Sequence, residues 1–194
     1  MTDLATTDEL FFSRGDLTKD RAERELERAL KGADDGELFL EYTVSESLAW
    51  DDGRLRTANF DTSQGFGLRA IAGEATGYAH ASELSDAAIA RAADTVGAVT
   101  RGYDGTLAAP PPGTNRALYG DTNPLNEVPF ADKTKLLADI DAYLRAKDSR
   151  VRQVMVSLTG EWTAIEILRP GGLRVADIRP LVRLNIAVMV GDGD

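Results

Sequence analysis

The segment QGFGLRAIAGEATGYAHAS, Gln64 to Ser82, holds the only histidine of the 194-residue chain together with four glycines. A neutral imidazole is the commonest general base and metal ligand, so His80 is the first residue to weigh for chemistry. Ser82 and Asp86 follow closely enough to complete a Ser-His-Asp set on paper. A nucleophile elbow of the form G-x-S-x-G is absent from the sequence, however. Zinc sites built from nitrogen or sulfur normally need more than one such ligand, and this chain offers one histidine and no cysteine. Gly65, Gly67 and Ala70 match the loose G-x-G-x-x-A form of a dinucleotide fingerprint, which requires strand, glycine turn and helix in that order. The acids Asp34, Asp35, Glu37, Glu41, Glu46, Asp51 and Asp52 lack the spacing of a calcium loop and alternate with apolar residues, as a solvated strand face would. Arg179 and Arg183 in DIRPLVRLNIAV can hold a carboxylate or phosphate bidentately; pairing with Asp177 or a neighbouring acid at a sheet edge is the simpler reading.

The elements that position these groups follow from periodicity. Ala22, Leu26, Ala29 and Leu30 form one stripe of a helix over 18–31, and Gly32 is a natural residue to end it. ELFLEYTV alternates with period 2, and Asp52-Gly53 turns it into RLRTANFD, giving a hairpin. After Gly67 the alternation continues, breaks at GEATG and resumes in YAHAS. That is strand, turn, strand, with no helix to receive a pyrophosphate. Ser85 is the expected N-cap of a helix running to about Thr100, with Leu84 and Ile89 as its hydrophobic staple. The Pro/Gly-rich stretch 101–128, with three consecutive prolines and Asn123-Pro124, reads as a long crossing loop without helix or central strand. FADKTKLLADIDAYLRAK then places Leu136, Leu137, Ile140, Tyr143 and Leu144 on one helical face. VRQVMVSLTG, EWTAIEILRP, GGLRVADIRP and LVRLNIAVMV read as successive β segments, with Pro170-Gly171-Gly172 turning the middle pair and Pro180 starting the last.

The fold class is therefore α+β: an antiparallel or mixed β-sheet with helices packed on one side, in two helix-plus-meander halves. The halves, about 1–100 and 129–194, are joined by loop 101–128 in one domain. The absence of cysteine rules out disulfides and thiolate chemistry and suits a reducing cytoplasm. A net charge of −10 argues against nucleic acid or an anionic membrane as the main partner. No apolar run approaches the roughly 18 residues of a membrane span, and the acidic N-terminus lacks the features of a signal peptide. The chain stops at AVMVGDGD, a Gly-Asp repeat after an apolar strand with no closing helix, which reads as a natural end or, at least as readily, as a fragment boundary.

QGFGLRAIAGEATGYAHASELS, ADKTKLLADIDAYLRAKDSRVRQVMVSLTGEW and ADIRPLVRLNIAVMV, in this order, resemble the N-terminal domain of TldD in the TldD/PmbA (TldE) family, once called modulators of DNA gyrase. The likeness runs from about Glu37 to Val190 and is closer to TldD than to TldE. It implies a cytosolic zinc metallopeptidase that works as a heterodimer with a TldE/PmbA-like subunit on unfolded peptides. The family's H-E-x-x-x-H motif, with two zinc-binding histidines and a water-activating glutamate, has no counterpart among these residues. The resemblance thus implies zinc in the parent protein and no cofactor, metal ligand or catalytic residue here. The expected role is a scaffold that takes an extended peptide along an open sheet edge, around Leu68–Ser82 or Leu181–Val190. Arg69, His80, Arg179 and Arg183 are the candidate contacts to peptide or interface. The alternative is a non-catalytic binding or dimerisation module, as in a TldE-like subunit.

Overall fold

A computed structural model describes residues 4–110 and 118–191. Its elements are α1 (Leu4–Asp8), extended by a π turn at Glu9–Ser13, α2 (Lys19–Ala29), β1 (Asp35–Asp51), β2 (Arg54–Ala72), β3 (Ala75–Ala81), α3 (Asp86–Thr100), α4 (Pro124–Glu127), α5 (Phe130–Lys147), β4 (Val151–Arg169) and β5 (Leu173–Val190). The five strands form one antiparallel sheet in the order β3-β2-β1-β4-β5. Asp52 and Gly53 turn β1 into β2 with φ of 50° and 80°, the positive pair that matches the twist of a two-residue hairpin. The chain forms two compact units, 1–43 with 63–119 and 163–178, and 44–62 with 120–162 and 179–194. The long strands run through both.

In the first unit, even-numbered residues of β1 and β2 point inward, so Leu38, Leu40, Phe66, Leu68 and Ala70 are buried. They share a core with Ala22, Leu26 and Ala29 of α2 and with Ile89, Ala92, Ala93 and Val96 of α3. Ser85 caps α3 as its sequence position requires: its Oγ accepts a bond from Ala88 N at 3.1 Å. The alanine-rich faces bring α2 and α3 close enough for Thr100 Oγ1 to donate to the Ala29 carbonyl at 3.3 Å. Gly36 of β1 is buried where a Cβ would run into the Arg69 carbonyl oxygen and the Leu30 side chain. A Gly36→Ala variant is therefore expected to lose about 1–3 kcal/mol of stability, read from the midpoint of urea unfolding. An unshifted midpoint would mean that β1 and β2 are not this close.

In the second unit, Leu48 of β1, Leu137 of α5 and Val154 and Val156 of β4 make a small core. The inner face of α5 differs from the purely apolar stripe expected. Leu136 and Tyr143 are exposed, while Lys133 and Asp141 are buried beside Leu137. Both charges are satisfied, each with at least one partner from a distant segment. Lys133 Nζ donates to the Leu125 carbonyl at 2.7 Å and pairs with Glu46. Asp141 accepts from Trp50 Nε1 at 3.3 Å and from Arg145 Nε at 2.9 Å. Buried polar groups with such partners carry no desolvation penalty of the unpaired kind.

Two further expectations change. The four C-terminal β segments are two long strands, and Pro180 lies within β5 instead of starting a strand. β5 ends the strand order, and an edge strand tolerates a residue without an N–H. Within 101–128, Asn123-Pro124 opens α4 where no helix was expected. Asn123 Oδ1 accepts from Leu125 N at 2.9 Å and Pro124 takes the first helical position, where its missing N–H costs nothing. The middle of that stretch, 111–117, lies outside the described residues.

Candidate functional site

Gln64–Ser82 is strand, turn and strand: β2 pairs with β3 in the register Gly67↔His80 and Arg69↔Tyr78. No helix begins at Gly67, so the glycines serve a purpose other than phosphate binding. Tyr78 leans across the ladder over Gly67, where a Cβ would stand 2.7 Å from the Tyr78 hydroxyl oxygen. The Tyr78 ring stacks on His80 with centroids 5.5 Å apart and planes at 29°. These two rings and Phe39 of β1 line a cavity of about 330 Å³, with Glu41, Gln64 and the Gly65–Gly67 backbone completing its wall. Every lining residue belongs to the first unit.

The seven acids singled out by sequence separate into two kinds. Asp34 accepts from Gly73 N at 2.8 Å and from the Tyr103 hydroxyl at 2.9 Å, and these bonds hold its pKa below the ordinary 3.8. Asp35 and Glu37 share the guanidinium groups of Arg69 and Arg169; Arg69 reaches Glu37 at 3.0 Å. Glu46 holds Lys133, Asp51 accepts from Gln153 at 2.8 Å, and Asp52 pairs with Arg145 at 2.5 Å. Of the seven, only Glu41 has no hydrogen bond or ion pair among the described residues, and it is the one that lines the cavity. Sequence reasoning grouped it with the others, because the distinguishing partners come from strands and helices far along the chain.

The four residues expected to contact peptide or partner do not converge. Arg69 and His80 are in the first unit, Arg179 and Arg183 in the second. Arg69 is engaged by Asp35 and Glu37, Arg183 Nε donates to Asn185 Oδ1 at 3.0 Å, and Arg179 is also partnered. His80 alone faces a cavity. The Ser-His-Asp arrangement is not assembled: Asp86 accepts from Thr18 N at 2.8 Å at the start of α3, and among the described residues His80 has no hydrogen bond. Nor do these residues fit zinc. The chain has a single imidazole and no thiol, and no group of three or more His, Cys, Asp or Glu among the described residues is placed to hold a metal ion.

The second unit offers a different surface. From Leu181 to Val190, every residue of β5 is exposed, so the apolar side chains Leu184, Ile186 and Val188 on one side of the strand and Val182 and Val190 beside them all meet solvent. An apolar edge strand open on both faces invites another strand. No helix of the described residues is long and apolar enough to cross a membrane.

Residues 36–100 match the family model for PmbA/TldA metallopeptidase domain 1, and residues 123–194 match that for the PmbA/TldA metallopeptidase central domain. The chain is 33% identical over 163 residues to the metalloprotease TldD homolog of Haemophilus influenzae, covering 82% of this chain and 34% of the relative. It is 29% identical over 158 residues to that of Buchnera aphidicola from Schizaphis graminum, covering 81% and 33%. The chain thus spans about a third of the length of the curated relatives it matches. Among solved structures, a protein from Bacteroides thetaiotaomicron described as a candidate modulator of DNA gyrase superposes with a TM-score of 0.68 at 17% identity, over 90% of this chain and 42% of that one. TldE from Thermococcus kodakarensis gives 0.63 at 14% identity, over 90% and 39%. At these identities the structural likeness concerns the fold.

Proposed function

Because this chain belongs to the PmbA/TldA metallopeptidase family, we propose that it is the N-terminal portion of a TldD-like zinc peptidase and acts there as a scaffold for unfolded peptide. Among the described residues no cluster of His, Cys, Asp or Glu is placed to hold a metal ion; this reading puts the family's H-E-x-x-x-H downstream of Asp194, where bound zinc would polarise the scissile carbonyl and activate the attacking water. The part played by the present residues is to hold chain segments in extended form. The observation that carries this reading is the pair of strands ending the sheet, β3 and β5, each with an outer edge unpaired among the described residues.

The two edges suit different occupants. Ten consecutive exposed residues of β5, mostly apolar, call for permanent cover, which downstream strands of the same protein or a TldE/PmbA-like subunit would provide. β3 is seven residues long, and Thr76, Tyr78 and His80 along it are exposed. Main-chain hydrogen bonds along such an edge accept an extended peptide with little regard to sequence, as cleavage of unfolded peptides requires. The cytoplasm suits these substrates and a cysteine-free chain.

The test uses the full-length protein with its partner subunit. Ile186→Lys with Val188→Lys places two charges on β5 and is expected to lower heterodimer assembly or solubility, and with it cleavage, by at least about tenfold. Ala79→Pro removes a donor from β3 and is expected to reduce cleavage of an unfolded peptide while assembly persists. Unchanged assembly and unchanged cleavage in both variants would refute the scaffold reading.

A further inference from the structure

We propose that the cavity between β1, β2 and β3 of the first unit binds an organic cation, a guanidinium or primary ammonium group on a flexible stem. Three rings, those of Phe39, Tyr78 and His80, line it, and among the described residues Glu41 supplies the only acidic group in its wall. Aromatic faces attract cations through their quadrupole, and a carboxylate adds charge-assisted hydrogen bonds. The pairing state of Glu41 makes the assignment specific. Each of the six other acids between Asp34 and Asp52 is hydrogen-bonded or ion-paired, five of them with Arg or Lys, whereas Glu41 has no partner among the described residues. A carboxylate beside three rings, in a chain of net charge −10, attracts cations and disfavours anions. The volume of about 330 Å³ lies at the lower end of small-ligand sites and exceeds what a single guanidinium with a short aliphatic stem occupies.

Gly67 creates the room. Without a Cβ at that position the Tyr78 ring lies down over β2 and forms a wall instead of standing in the cavity. The neighbouring arginine is already spent, since Arg69 is held by Asp35 and Glu37 and does not neutralise Glu41.

Ala81 and Ser82, where β3 ends, also line the cavity. A Lys or Arg side chain of a peptide lying along β3 is the source that fits this position; this identification of the source, though not the cation site itself, rests on the peptide-edge reading above. Free alkylamines share the same chemistry.

His80 provides the readout, because a protein with one histidine gives a single imidazole Hε1–Cε1 resonance in a ¹H–¹³C spectrum. The 194-residue chain is titrated with N-acetyl-arginine-N-methylamide, with agmatine and with the neutral isostere N-acetyl-citrulline-N-methylamide. The two cations are expected to shift the His80 resonance saturably and the citrulline compound to leave it in place. Glu41→Gln is expected to weaken cation binding by about tenfold with near-UV circular dichroism unchanged, since Glu41 supports no other residue. Tighter binding of the acetylated arginine than of agmatine supports a peptide source. Tighter binding of agmatine keeps the cation site and discards the peptide-edge reading. Equal shifts from the citrulline compound, no saturable shift from either cation, or undiminished binding in a folded Glu41→Gln variant would overturn the proposal.

Discussion

Replacing Arg174 by Met should destabilise the protein by about 3–5 kcal/mol, because it strands a carboxylate in the core of the first unit. Glu166 is fully buried, and Arg174 Nε donates to its Oε1 at 2.6 Å while a terminal nitrogen pairs with Asp8. The guanidinium also lies over the Phe12 ring, 5.5 Å from its centroid, so one side chain fastens α1 and the following π turn to β4 and β5. Burial raises the Glu166 pKa above its ordinary 4.5 even with Arg174 present, against the opposing pull of bonds from Thr7 and Arg174. Without the guanidinium that pKa climbs further. A carboxyl whose folded pKa exceeds its unfolded value binds more protons when folded, so its penalty is full above the folded pKa and fades as pH falls toward 4.5. The deficit of Arg174→Met, measured by urea unfolding, is therefore expected to be largest at neutral pH and to shrink on acidification. Adding Glu166→Met should recover much of it. A deficit independent of pH would mean that lost packing, not a stranded charge, sets the cost.

Leu137→Ala should cost about 2–5 kcal/mol, since its side chain is fully buried against Leu48, Val154 and Val156. The loss is read as a lower unfolding midpoint at unchanged denaturant slope. Leu136→Ala, one residue away, should change stability by no more than about 0.5 kcal/mol because Leu136 is 46% exposed. Equal losses at the two positions would place α5 in a different rotation from the one described. The contrast bears on function, because the same unit presents the exposed half of β5: loosening its core adds to an apolar surface that already requires cover.

Local signals in the sequence are legible where the interaction itself is local. Ser85 caps α3, Asp52-Gly53 closes a hairpin, and the alternation around Gly67 belongs to strands. What could not be read depends on residues remote in sequence. Lys133 and Asp141 look like surface residues by type, and part of what makes their burial tolerable comes from far along the chain: Glu46, 87 positions from Lys133, and Trp50, 91 from Asp141. Pro180 reads as a strand start by type, and only the sheet order, with β5 at an edge, explains its place inside the strand. The candidate site shows the same division. His80 was evident as the sole imidazole, whereas Glu41 differs from its six acidic neighbours only through partners that they have and it lacks. Tyr78 left one legible trace, a glycine in β2 opposite His80, two residues beyond the aromatic on β3 that covers it.

The central claim is that these residues form the non-catalytic front of a zinc peptidase. The most direct measurement is to sequence the reading frame past the codon for Asp194. The account predicts an H-E-x-x-x-H motif downstream, followed by zinc-dependent cleavage of unfolded peptide when the whole protein is produced with its partner. A stop codon, or a longer frame without the histidine pair, would contradict it and leave a binding or dimerisation module in its place.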